Sequence, residues 1–259
     1  MITDEYYIRE DGIRLHVKLD KPDGFSKGPL MILLHGLTGH MEERHILAVR
    51  DTSLEAGFAV LRAEMYGHGK SDGAFRDHTV FKWLTNVMTV TDHAKTLGFA
   101  TDLYLMGHSQ GGYTAMLAAG MRPDAYRAVI PLSPAIVIED GAKKGKALGI
   151  AFDPARVPDD FRQGAWPLSG NYIRAMQMVC VDGAIDNYHG PVCIIHGDAD
   201  ETVPVRYSID AAARYENCRL CVISGDTHCY DHHLDKVQEA LKAFLTEQAG
   251  KHPVYGARL

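Results

Sequence analysis

The sequence predicts an α/β protein: a mainly parallel, twisted sheet of about eight strands, helices on both faces and a small inserted cap. Three observations predict it. Short apolar runs alternate with longer helical patterns along the chain. The middle runs are continuously apolar, as strands buried on both faces must be. One internal stretch, rich in proline and aromatic residues, breaks this rhythm.

The first two runs, around Tyr6–Arg9 and Ile13–Leu19, are joined by Asp11-Gly12. That dipeptide favours a tight hairpin, so the sheet is expected to begin antiparallel. Further strands are expected at Leu30–Leu34, Phe58–Arg62, Leu103–Met106, Ala128–Leu132, Val192–Ile195 and Leu220–Ile223. Helical periodicity covers about Glu42–Ala56, Val80–Leu97, Gly111–Met121, Val205–Tyr215 and Leu234–Gln248. Gly57 and Arg122-Pro123 supply stop signals. Between Ser133 and Pro191 the sequence carries Phe152, Phe161, Trp166, Tyr172 and Met176 without a core strand pattern. It is too long and too apolar for a simple connection. Residues 134–190 are therefore expected to form the cap, inserted into a core of 1–133 and 191–250. The tail, 251–259, shows no periodicity and is expected to fray.

Size and composition narrow the function. A chain of 259 residues with 46% hydrophobic residues can bury one large core without disulfides or metal. A net charge of -6 gives no reason to expect nucleic acid or an anionic membrane as partner. The N-terminus lacks the basic and apolar regions of a signal peptide, and no apolar run is long enough to cross a membrane. Five cysteines without a signal peptide point to reduced thiols in the cytoplasm. Cys218 and Cys221 form a CxxC, but no second pair follows at zinc-site spacing, so buried structural thiols are expected.

Gly107-His108-Ser109-Gln110-Gly111 is a G-x-S-x-G motif between an apolar strand and a helix. That context makes Ser109 a candidate nucleophile on a sharp turn, with glycines where strand and helix backbones nearly touch. Ser133 also ends a strand but lacks the glycine frame, and is expected to be structural. A serine needs an imidazole to remove its proton, and the imidazole needs a carboxylate to orient it. Both should lie in loops after later strands. After Val192–Ile195 come Asp198, Asp200 and Glu201, which compete for the acid by spacing alone. After Leu220–Ile223 comes His228, selected from 14 histidines by its position. His228 with His232 could hold metal on a helix, but no H-E-x-x-H motif stands there, so no metal is expected. His108 is expected to point away from the serine, and His35, His40, His68 and His196 to orient loops. Backbone N–H groups of Gln110 and of Leu37, in the loop after the third strand, are the expected oxyanion donors. Gly67-His68-Gly69-Lys70-Ser71 would need glycine at Glu64 to be a phosphate loop, so it is expected to brace a loop instead.

With these residues placed, the chain resembles the α/β-hydrolase family and, more narrowly, bacterial feruloyl (cinnamoyl) esterases. The similar stretches are HGLTGHMEERHI (35–46), MYGHGKSDG (65–73), GHSQGG (107–112), LSPA (132–135), GNYIR (170–174), HGDADETVP (196–204) and GDTHCYDHH (225–233). The resemblance implies an α/β-hydrolase fold and places nucleophile, acid and base on Ser109, Asp200 and His228. It implies oxyanion donors at Leu37 and Gln110, and an aromatic acyl group held under the cap by Trp166, Tyr172 and Asp140. Glu64 stands where relatives usually carry Asp, and the cap departs most from the pattern at Glu139–Lys146. The implied activity is cofactor-free hydrolysis of hydroxycinnamate esters, a small-molecule substrate. A monoacylglycerol-type lipase or short-chain carboxylesterase would use the same machinery. A non-catalytic small-molecule-binding module is the alternative of another class. A homodimer stays open on the sequence.

Overall fold

The computed structural model describes residues 1–163 and 165–250; the expected tail, 251–259, lies outside them. Eight strands form one sheet: β1 (Ile2–Glu10), β2 (Ile13–Lys21), β3 (Gly28–Leu34), β4 (Ala59–Ala63), β5 (Ala100–His108), β6 (Ala128–Leu132), β11 (Val192–Gly197) and β12 (Cys218–Ile223). Their spatial order is β1-β2-β4-β3-β5-β6-β11-β12. β1 pairs antiparallel with β2, and β2 antiparallel with β4; every later pairing is parallel. The β1–β2 turn has positive φ at both Asp11 and Gly12, the backbone that a two-residue hairpin requires.

Helices cover both faces, as expected. On one face lie α1 (Arg44–Glu55) and α8 (Leu234–Gly250); Ile46, Val49, Val237 and Leu241 pack on Met31, Val60 and Ile195. The other face carries α2 (Val80–Thr96), α3 (Gln110–Met121) and α7 (Arg206–Arg214). All of α3 except Met121 is buried. Buried on nearly every side, it has no amphipathic stripe to read.

Between β6 and β11 the chain leaves the main sheet. It forms α4 (Ile136–Lys144), the hairpin β7 (Lys146–Ala147) with β8 (Ile150–Ala151), the hairpin β9 (Asp160–Gln163) with β10 (Trp166–Ser169), α5 (Gly170–Met178) and α6 (Val181–Asn187). α6 returns to the layer of α3. A Cβ on Gly120 would stand 2.4 Å from the Ala184 backbone, so the two helices touch backbone to backbone. No helix among the described residues is long and apolar enough to cross a membrane.

The strand order decides where a site can form. From β3 the chain moves to β4 on one side, then crosses back to β5 on the other. Loops leaving β3 and β5 therefore diverge, opening a crevice at the carboxyl ends of the strands.

Candidate active site

Ser109 follows β5 and caps α3 with φ 54° and ψ -117°. A residue with a side chain rarely adopts such a backbone. The turn holds because its neighbours are glycines. A Cβ on Gly107 would lie 2.4 Å from Gly111 C, and one on Gly111 would lie 2.3 Å from the carbonyl oxygen of His35. Neither distance is tolerable, so strand, helix and the β3 loop can meet only without those side chains. Ser109 N–H donates to the Leu132 carbonyl at 2.8 Å, tying the turn to β6.

The structure brings Ser109, His228 and Asp200 together. His228 Nε2 lies 2.9 Å from Ser109 Oγ, and His228 Nδ1 lies 2.6 Å from Asp200 Oδ2. The two competitors by spacing lie elsewhere: Asp198 accepts from Gly225 N–H at 2.6 Å, while Glu201 is exposed on the cavity rim. Asp200 is buried, and its second oxygen accepts the N–H groups of Thr202 and Val203, both at 2.8 Å. Burial opposes its charge, but hydrogen bonds from His196 and His228 outweigh that cost and hold the carboxyl well below the usual range.

Two loops must touch for this arrangement, and Gly197 lets them. A Cβ there would lie 2.3 Å from the Asp226 carbonyl oxygen. Asp226 is buried and accepts from the N–H groups of Thr227, His232 and His233, which shapes the loop around His228. Tyr230 pins that loop to the sheet: its hydroxyl donates to the Ile195 carbonyl and accepts from Ser133 Oγ, both at 2.9 Å. Ser133 is thus structural, as expected.

The loop after β3 lies against the serine, where a Cβ on Gly36 would stand 3.1 Å from Ser109 Cβ. His35 holds this loop. Its Nδ1 donates to the Gly36 carbonyl at 2.7 Å, and its Nε2 accepts Met65 N–H at 3.1 Å. His68 donates to the Tyr66 carbonyl and accepts Thr38 N–H. Burial pushes the His68 imidazole down to about 4 and His35 well below its ordinary value. Both histidines orient loops, as expected. Leu37 lines the cavity beside Ser109, and Gln110 opens α3, where its N–H has no partner within the helix.

The Gly67–Ser71 turn braces this face. The Glu64 carboxylate accepts Lys70 N–H at 2.6 Å and meets His16 Nδ1 at 2.7 Å. A Cβ on Gly69 would overlap that carboxyl group. Glu64 is therefore a buried strut, and glycine at position 69 leaves room for it.

Ser109 and His228 open onto a cavity of about 950 Å³. Of the three expected substrate contacts, Asp140 lines it and the two aromatic residues do not. Tyr172 is fully buried and donates its hydroxyl to Gln110 Oε1 at 2.7 Å, joining α5 to α3. Trp166 is half-exposed and its ring packs on Phe75 at 4.9 Å. Both aromatic side chains bind the pieces of this segment to each other and to the core. Sequence reading missed Tyr207 and Cys229 in the lining. Tyr207 carried a weak signal, since it opens the helix following the Asp200 loop.

The sheet order, the strained serine turn and the loops at the strand ends define an α/β hydrolase. The profile of the family described as "Serine aminopeptidase, S33" matches residues 27–159. The chain belongs to that family. It is 53% identical to Est1E from Butyrivibrio proteoclasticus, whose structure has ferulic acid bound. The two superpose with a TM-score of 0.93 over 95% of this chain and 100% of that one. The chain is also 26% identical to the mitochondrial palmitoyl-protein thioesterase ABHD10 of Bos taurus, over 76% of this chain. It spans 65% of the length of that protein. It is 30% identical to the monoglyceride lipase of Rattus norvegicus over 51% of this chain and 43% of that one.

Proposed function

We propose that the protein is a serine carboxylesterase that hydrolyses hydroxycinnamate esters, with Ser109 as nucleophile, His228 as base and Asp200 as its orienting acid. One observation carries this reading: an unbroken line of hydrogen bonds from Asp200 through His228 to Ser109 Oγ, opening onto a cavity. Asp200 fixes the proton of His228 on Nδ1, which leaves Nε2 free to accept the serine proton. Ser109 Oγ attacks the ester carbonyl, and the negative oxygen is met by the N–H groups of Leu37 and Gln110. His228 then gives the proton to the leaving alcohol. Water, activated by the same imidazole, releases the acid from the acyl-enzyme.

Residues 134–190 act as the cap and supply the acyl side of the cavity through Val137, Ile138, Ala147 and Leu148. Asp140 sits among them. A hydrogen bond from Lys144 Nζ, then one from the Tyr207 hydroxyl at 2.7 Å, hold its carboxyl below the ordinary value. It is a charged acceptor suited to a phenolic hydroxyl. The ferulic acid bound by the 53% identical relative supports this acyl group.

Comparing kcat/KM on methyl ferulate and on a butyrate ester tests the reading. Preference for the ferulate is expected. Preference for the butyrate would favour the short-chain or monoacylglycerol alternative. No covalent labelling by an organophosphate would favour a non-catalytic binding module.

A further inference from the structure

Three side chains around His228 have no part in the hydrolysis described above. Cys229 follows His228 in the chain and lines the same cavity. His45 comes from α1 and His108 from the end of β5; both are buried. One ring nitrogen of each histidine and the Cys229 sulfur all lie within 4.8 Å of one another. His45 Nε2 is 3.1 Å from His108 Nδ1. A tetrahedral zinc ion with bonds of 2.0–2.1 Å to two imidazoles holds their nitrogens about 3.3 Å apart. The two histidines thus already stand near coordination spacing.

The protons are arranged to suit. His108 Nε2 lies 2.8 Å from the carbonyl oxygen of His228, which can only accept. Nε2 therefore carries the proton, and Nδ1 presents its lone pair toward His45. Metal-binding histidines are oriented in this way, with the second N–H held by a backbone carbonyl. A neutral imidazole is the form that coordinates.

Cys229 brings a thiol to the same point, on the chain position next to His228. Two imidazoles and a thiolate suit zinc and its neighbours and do not suit magnesium or calcium.

We propose that His45, His108 and Cys229 form a site for a zinc-type divalent ion, and that occupancy slows turnover at Ser109 and His228. On binding, the Cys229 thiol releases its proton to solvent and His45 moves its Nε2 proton to Nδ1. No oxidant or reductant takes part. Drawing the Cys229 sulfur onto the ion displaces the adjoining His228 backbone, whose carbonyl already holds His108.

The site stands independently of the esterase reading; only its effect on turnover rests on it. Co2+ serves as the spectroscopic probe and Zn2+ as the inhibitor. Titration with Co2+ should give a thiolate-to-metal charge-transfer band at one ion per chain. The band should survive Cys180→Ser, an exposed thiol elsewhere, and vanish in Cys229→Ser. In His45→Gln the Zn2+ concentration that halves ester turnover should rise by about ten- to a hundredfold, each protein being compared with its own metal-free rate. Absence of the band in the parent protein, or its survival in Cys229→Ser, overturns the site. Zn2+ inhibition equal in the parent and in both variants overturns it as well, because the ion then acts elsewhere. The spectroscopic arm needs no ester, so its failure is separable from failure of the proposed activity.

Discussion

His196 and His228 approach the same carboxylate oxygen, Asp200 Oδ2, at 3.0 and 2.6 Å. His196 is fully buried, and its Nε2 also lies 2.9 Å from the Val203 carbonyl. That nitrogen therefore carries the proton, and Ser208 Oγ donates to the other nitrogen at 2.6 Å. Asp200 is thus held from one side by His196 while it meets His228, the proposed base, on the other.

This shared oxygen separates two variants. Asp200→Asn offers His228 an amide in place of a charged acceptor and favours the wrong tautomer. It should lower kcat by about 10⁴-fold. His196→Ala removes one charge-assisted hydrogen bond and should cost about 1.5–3 kcal/mol of stability, with a much smaller loss of kcat. Denaturant unfolding and steady-state rates on both variants check this. Equal losses of kcat would remove the distinction between the two histidines.

The backbone of Ser109 is strained, with φ 54°. Ser109→Ala should lose turnover by on the order of 10⁶-fold while keeping the fold. Ser109→Gly should be equally inactive yet more stable than Ser109→Ala by about 1–3 kcal/mol, because glycine accepts the positive φ. Urea midpoints of the two variants decide it; equal midpoints would mean that the turn is unstrained.

Asp140 should discriminate among acyl groups. Asp140→Asn should raise KM for methyl ferulate, which carries a phenolic hydroxyl, by about tenfold, the scale of one hydrogen bond to a charged group. It should leave methyl cinnamate, which has no such hydroxyl, nearly unchanged. A parallel loss on both esters would assign Asp140 to the architecture of the cavity instead.

Buried histidines set the acid limit of the fold. Burial pushes His45 and His68 down to about 4, His78 to about 3, and His35 and His108 well below their ordinary value. In the unfolded chain each titrates near 6.5. Between these values the unfolded state binds more protons, so stability rises with pH. The contribution is complete above about pH 6.5 and shrinks steadily as pH falls toward the folded values near 4 and 3. Melting temperature should therefore drop markedly between about pH 7 and about pH 5. The drop should shrink in His78→Phe, which removes a buried ring whose Nε2 has no partner among the described residues. A flat profile over that range would contradict the assignment.

Much of this was legible in the sequence because it depends on short stretches of chain. Alternation of apolar runs and helical periods located β3 to β6, β11 and β12, since burial on both faces forces continuous apolar strands. G-x-S-x-G was readable because the constraint is steric and local: Gly107 and Gly111 have no room for a methyl group. His228 could be selected by position because sites in this fold form where strands end.

Asp200 could not be separated from Asp198 and Glu201 by spacing, and the reason is geometric. Three acidic residues within four positions of a loop differ only in which way the backbone turns them. Only the folded chain, with Gly197 against Asp226, decides that Asp200 meets His228. The substrate contacts show the same division. Trp166 and Tyr172 have the composition of ligand-binding residues, but packing against Phe75 and Gln110 fixes where they point. The sequence alone determined the sheet and the serine turn, because these follow from periodicity and local sterics. Tertiary structure alone decided which side chains line the cavity and which three gather behind His228, because those depend on contacts between elements far apart along the chain.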